Sequence, residues 1–215
     1  MPCAPAIADK DLAGLTKLIR HPLFGLFYRH RFVMVASLCP EQCDNTLEIG
    51  YGAGYMAYAL SPRCRSYTGI DIHGFDHEVN RCLHDQGRDN VTLMRDDARR
   101  LESVDDSSVD LVVSVSCLEH IREVGDVQQA IWRVLKPGGL AAYGLPQKNR
   151  LTKWLFAALG YDDEAIHPTS PVQVADAARE AGFVPLRQRF LPPPALTGLE
   201  MYWAGLFQKP GSARS

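Results

Sequence analysis

The sequence has no run of apolar residues long enough to cross a bilayer. Its most apolar stretch, Leu23 to Leu38, is broken by Arg29, His30 and Arg31, whereas a spanning helix needs ~20 residues. A secretory leader pattern is missing as well, so a cytoplasmic location is expected. Positive charge is not in excess: 23 Lys and Arg stand against 25 Asp and Glu, for a formal net charge of −2. That balance does not favour nucleic acid as a partner bound through its phosphates. No Asn-Pro-Pro-Tyr-type motif for a flipped base occurs either. The six cysteines, Cys3, Cys39, Cys43, Cys64, Cys82 and Cys117, include no Cys-x-x-Cys pair. Reduced thiols are therefore expected rather than a disulfide framework. Cys39 and Cys43 would lack the two further ligands that zinc needs. Repeats and low-complexity segments are absent.

What is present suits one folded domain of 215 residues, 46% hydrophobic and 22% charged, enough to bury a sizeable core. Residues 9–38 read as two helices separated by His21-Pro22. Leu12, Leu15, Leu18 and Ile19 share a face of the first. The second sets Phe24, Phe27, Tyr28 and Phe32 against Arg29, His30 and Arg31. It reads as a lid with solvated arginines, or as a peripheral contact with a membrane surface. From residue 45 strands and helices alternate. Strands are expected at 46–49, 66–71, 91–94, 109–115, 139–145, 183–190 and 199–207. Helices are expected near 53–60, 76–86, 126–135 and 149–159, and from Ser170-Pro171 to Gly182. Lys136-Pro137-Gly138-Gly139 reads as a helix stop followed by a strand. This rhythm argues for an α/β fold of parallel strands joined by right-handed crossovers, with helices on both faces.

The most telling segment is Leu47-Glu48-Ile49-Gly50-Tyr51-Gly52-Ala53-Gly54. An apolar strand ends in an acid, then glycines alternate, then a helix begins at Tyr55. Such a turn lets the backbone approach a nucleotide, because a Cβ would fill the ligand's space or forbid the turn's dihedrals. In an open α/β sheet, ligands settle beyond the carboxyl ends of the strands. Other site residues are therefore expected at the ends of later strands. The second strand ends at Asp71, 21 positions after Gly50, near the spacing at which a carboxylate takes ribose hydroxyls. The third leads into Asp96-Asp97-Ala98, where either acid could meet an adenine amino group. Strand four ends at Ser116. Gly52-Ala53-Gly54-Tyr55-Met56-Ala57 also satisfies the dinucleotide pattern G-x-G-x-x-A, so NAD stays open on that stretch alone. Glu48 beneath the turn would repel a pyrophosphate but hold a ligand ammonium, and this tilts the choice away from NAD.

Leu47 to Gly54, Gly69-Ile70-Asp71, Asp97-Ala98, Leu118-Glu119-His120-Ile121 and Val134 to Gly139, in this order, resemble the class I S-adenosylmethionine-dependent methyltransferases. The likeness covers residues 45–145 and is closest to the branch acting on small molecules, quinones and lipid precursors. It implies a Rossmann-like seven-stranded sheet in the order 3-2-1-4-5-7-6, the last strand antiparallel, with S-adenosylmethionine as cofactor. It also implies Glu48, Gly50, Gly52 and Gly54 around the methionine part, Asp71 on the ribose and Ile72 on the adenine face. Asp97 with Ala98 would meet the adenine edge, and Ser116 the methyl-donor end. Tyr51 stands where smaller residues are common and is expected to fold over the cofactor or narrow the substrate entrance. The chain then divides into an N-terminal helical cap (1–44), a cofactor-binding core (45–145), and a substrate-side insert with closing strands (146–215).

Chemistry beyond the cofactor is less legible. His120 and His167 are the candidates for a general base. Asp71, His73, Asp76 and His77 have metal-ligating types, but Gly74 breaks their helical spacing and no metal is expected. Trp154, Leu155, Phe156 and Tyr161 make the insert apolar, which favours a small hydrophobic or lipid-like acceptor. Alternatives from other classes are an NAD-dependent oxidoreductase and a non-catalytic scaffold.

Overall fold

The structure is a computed structural model that describes residues 24–149, 167–191 and 200–211. The helix expected at the start of the chain, the insert residues Trp154, Leu155, Phe156 and Tyr161, and the Pro192-Pro193-Pro194 connection lie outside these. Seven strands, β1 (Cys43–Ile49), β2 (Cys64–Asp71), β3 (Val91–Arg95), β4 (Val109–Val115), β5 (Leu135–Pro146), β6 (Val184–Leu191) and β7 (Tyr202–Gln208), form one sheet. Their order is β3-β2-β1-β4-β5-β7-β6, as the resemblance implies. The pairings from β3 across to β5 are parallel, and β7 runs antiparallel to both β5 and β6. Strand order reverses between β1 and β4, which opens a crevice at their carboxyl ends.

Helices α1 (Phe24–Ala36), α2 (Tyr55–Leu60) and α3 (Asp76–His84) cover one face of the sheet, and α4 (Val124–Val134) and α5 (Pro171–Glu180) cover the other. Strands buried on both sides need apolar residues in both phases. In β4, Leu111, Val113 and Val115 pack towards α1–α3, while Val112 packs towards α4 and α5. Each such side chain contributes about 1.5–3 kcal/mol by leaving water. On α4, Val124, Val127, Ile131 and Val134 form the buried stripe expected of three- and four-residue spacing. Gln128 lies on the same face and accepts a hydrogen bond from the Tyr143 hydroxyl at 2.7 Å. Ser170 and Gln173 form a reciprocal capping box with Pro171 in the first turn, so α5 starts where the sequence predicts.

Several strand ends differ from expectation by two or three residues, and one boundary differs in kind. The helix stop does not precede the strand but lies inside it. Val109 pairs with Leu135 and Leu111 with Leu140, so Lys136-Pro137-Gly138-Gly139 bulges out of β5. A bulge accommodates Pro137, which has no amide for the ladder, and Gly138 at φ 84°.

Candidate active site

The turn after β1 is built from left-handed backbone. Gly50, Gly52 and Gly54 have φ of 78°, 49° and 77°, values that side chains disfavour. The Gly50 amide donates to the Ile70 carbonyl at 2.8 Å, and that of Gly54 donates to the Tyr51 carbonyl at 2.8 Å. The two outer glycines are packed. A Cβ on Gly50 would lie 2.4 Å from Cys117 Sγ, and one on Gly54 2.8 Å from Val79 Cγ1. At Gly52 a Cβ would meet nothing within 4 Å. Only the central glycine therefore borders open space of the kind a nucleotide ligand fills.

Asp71, at the end of β2, is locked to this turn. Its Oδ2 accepts from the Gly52 amide at 3.0 Å and its Oδ1 from the Ile72 amide at 2.8 Å. His73 Nε2 lies 3.2 Å from the Gly52 carbonyl and 3.4 Å from Asp71 Oδ2. Ile72 is 71% exposed and offers an apolar surface beside the acid. Tyr51 behaves otherwise than its bulk suggests. Its ring is buried with the α1–α3 core, edge-on to His73 at 4.8 Å and against Gly69, rather than projecting over the turn.

The two acids after β3 separate into different roles. Asp96 accepts from the amides of Asp97 and Ser103, at 2.7 and 2.9 Å, and from the Ser103 hydroxyl. Partial burial works against its charge, but these donors outweigh it and hold its pKa below the usual range. Asp96 is thus consumed by its own turn. Asp97 points outward into a fork with the Arg99 side chain, whose hydrogen bonds lower its pKa. Ala98, next to it, is buried.

Glu48 is 2% exposed on the α2 side of β1 and accepts the Tyr67 hydroxyl at 2.9 Å. Burial pushes its pKa up to about 8 against that hydrogen bond, and the Asp71 charge adds to the rise.

The sequence points to Ser116 but not to its neighbours. Ser116 has φ 53°, and its amide donates to the Gly144 carbonyl at 2.8 Å. Its hydroxyl lies 2.9 Å from the Tyr202 hydroxyl and accepts from Arg31 Nη1 at 3.1 Å. Arg31 is 7% exposed, with its guanidinium 3.8 Å above the Tyr28 ring and its Nε lacking a partner. This corrects the expectation of solvated arginines for Arg31, although Arg29 does stay exposed. The available signal was a cation three residues after Tyr28 on an aromatic helix.

His120 and His167, far apart in sequence, meet. Their ring centroids are 5.1 Å apart, and one ligating atom from each lies within 4.8 Å of a Glu119 carboxylate oxygen. Glu119 is 2% exposed and its Oε2 has no partner. Burial raises its pKa to about 7, while His120 and Arg31 oppose the rise. A separate groove of about 470 Å³ between α5 and β6, lined in part by Arg179, Leu186 and Phe190, involves none of these residues.

Residues 47–143 match the protein family described as a methyltransferase domain. The ubiquinone biosynthesis O-methyltransferase of Paracidovorax citrulli is 28% identical over 121 residues, covering 55% of this chain and 50% of that protein. The chain spans about half the length of such curated relatives. In solved structures, the fold is shared with the [4+2]-cyclase SpnF, at TM-score 0.69 and 19% identity over 84% of this chain and 80% of that one. It is also shared with Haemonchus contortus phosphoethanolamine N-methyltransferase 2 in complex with S-adenosylmethionine, at TM-score 0.64 and 16% identity over 85% and 53%. Residues 47–143 therefore carry the likeness to S-adenosylmethionine-dependent methyltransferases. Among the described residues no helix is long and apolar enough to cross a membrane.

Proposed function

We propose that this chain transfers the methyl group of S-adenosylmethionine to a small hydrophobic or lipid-like acceptor. The observation that carries the reading is the union of Asp71 with Gly52 beneath open space. A ribose acid and a Cβ-free turn in one rigid unit suit an adenosyl ligand. In this reading Gly50, Gly52, Gly54 and Glu48 surround the amino-acid part, and Asp71 takes the ribose. Ile72 packs on the adenine, Asp97 and Ala98 meet its edge, and Ser116 lines the methyl-donor end. Arg31 joins them as the cation for the ligand's carboxylate, through the Nε that lacks a partner. S-adenosylmethionine supplies an electrophilic methyl on a sulfonium whose charge disappears on transfer. The chain has then to align the acceptor and exclude water.

The acceptor pocket is assigned to α1, the segment beyond Leu145 and the residues after β4. The relatives named as ubiquinone O-methyltransferases support a quinone-like acceptor class. Calorimetric titration with S-adenosylmethionine, S-adenosylhomocysteine and NADH, beside Asp71→Ala, tests the cofactor. Micromolar binding of the first two, weakened by the substitution, is expected; binding of NADH alone would overturn it. Unchanged turnover after Trp154→Ala or Phe156→Ala would remove the insert from the acceptor pocket.

A further inference from the structure

We propose that Glu119, His120 and His167 act together as the proton acceptor for the transfer, so that the methylated atom is the oxygen of a hydroxyl compound. The proposal rests on the methyltransferase reading above. Three side chains from two segments converge here, and the convergence is fastened from both sides. The Thr169 amide donates to the Glu119 carbonyl at 3.1 Å, and its hydroxyl donates to the Ile121 carbonyl at 2.5 Å. These bonds hold the turn after β4 against the segment leading into α5.

The arrangement is graded from inside to outside. Glu119 and His167 are buried, whereas His120 reaches solvent. A buried carboxylate oxygen with no partner is costly, so its place is best explained by a donor that arrives with the substrate. The charged and titratable groups facing Glu119 are Arg31 from α1, Tyr202 from β7, Cys117, and the two imidazoles. Arg31 favours the carboxylate anion and burial disfavours it, which keeps the group responsive near neutrality.

The acceptor's O–H bond breaks and its proton passes to an imidazole nitrogen. An oxygen lone pair forms the new O–CH3 bond, while the CH3–S bond breaks with its pair remaining on sulfur. A sulfonium becomes a thioether, and one proton leaves through the exposed His120. A thioether acceptor, which carries no proton to lose, would not need such a unit.

The test follows methyl transfer to catechol by the whole chain, for the parent, H120Q, H167Q and E119Q, from about pH 6 to about pH 9. S-adenosylhomocysteine affinity is measured alongside by calorimetry. The imidazole variants should lose about 10²–10⁴-fold in kcat with little change in KM. The loss should shrink as pH approaches the phenol's own pKa of about 10, because an ionised acceptor needs no base. Unchanged S-adenosylhomocysteine affinity would separate this from damage to the cofactor site. A loss equal at every pH, or none, overturns the proposal. Dependence of the parent on an added divalent cation also overturns it, since the cluster would then be a metal site. So does a parent that binds S-adenosylhomocysteine but leaves catechol unmethylated. Failure to bind S-adenosylhomocysteine instead defeats the underlying methyltransferase reading.

Discussion

The amide of Gly52 donates to the Asp71 carboxylate at 3.0 Å, across 19 positions of sequence. The glycine turn and the strand-end acid, which the sequence presents as two separate motifs, are one hydrogen-bonded unit. Removing the acid therefore unsettles the turn as well as the ribose contact proposed for it. For Asp71→Ala we expect affinity for S-adenosylmethionine and S-adenosylhomocysteine to fall about 10–100-fold, the usual worth of hydrogen bonds to a charged group. Asp71→Asn keeps an acceptor for the Gly52 amide and should preserve the melting temperature better. Calorimetry and thermal unfolding of both variants check the pair.

The glycines should separate stability from binding. Gly52→Ala adds a methyl group where nothing lies within 4 Å, so its structural penalty is only the backbone strain at φ 49°, about 1–2 kcal/mol. It should fold and yet bind S-adenosylhomocysteine poorly. Gly50→Ala adds the same strain and drives the new carbon into Cys117, so its main defect should be a lower melting temperature. Equal binding by Gly52→Ala and the parent would show that the ligand does not pass over this turn.

Glu48 gives a pH dependence with a definite sign. Its folded pKa, about 8, lies above the 4.5 of an unperturbed glutamate. The folded state therefore holds the proton more tightly than the unfolded chain. That stabilisation is complete below about pH 4.5 and is lost as pH rises through about 8. Glu48→Gln keeps an acceptor for the Tyr67 hydroxyl without the buried charge. It should melt higher than the parent in alkaline buffer, with the advantage shrinking towards acid. A ligand ammonium beside Glu48 would favour its ionised form, so cofactor binding at neutral pH should release a proton. Calorimetry in buffers of different ionisation enthalpy reads that release directly.

Arg31 supplies a contrast between ligands. If its guanidinium takes the cofactor's carboxylate, Arg31→Met should weaken S-adenosylhomocysteine about 10–100-fold. The same substitution should leave an analogue lacking the carboxylate almost unaffected. An equal loss for both ligands would mean that Arg31 only supports Ser116 and Tyr202.

The alternation of strands and helices, the glycine turn and the acids at the ends of β2 and β3 can be read from the chain's local pattern. Those features are written in local periodicity and in dihedral needs that only glycine meets. The sequence also marked the start of α5, because a capping box is complete within four residues. It could not locate the end of the helix-stop motif, because whether Lys136-Pro137-Gly138-Gly139 precedes a strand or bulges from one depends on pairing with β4. Tertiary structure alone decided that Tyr51 packs inward against Gly69 and His73, since the space for its ring is made by other strands. It alone brought Arg31 to Ser116 across 85 positions and Tyr202 to the same hydroxyl across 86. The meeting of Glu119, His120 and His167 is of the same kind. Backbone geometry leaves its signature within a few neighbouring residues, whereas the burial and charge of a side chain are set by whatever distant segments fold against it.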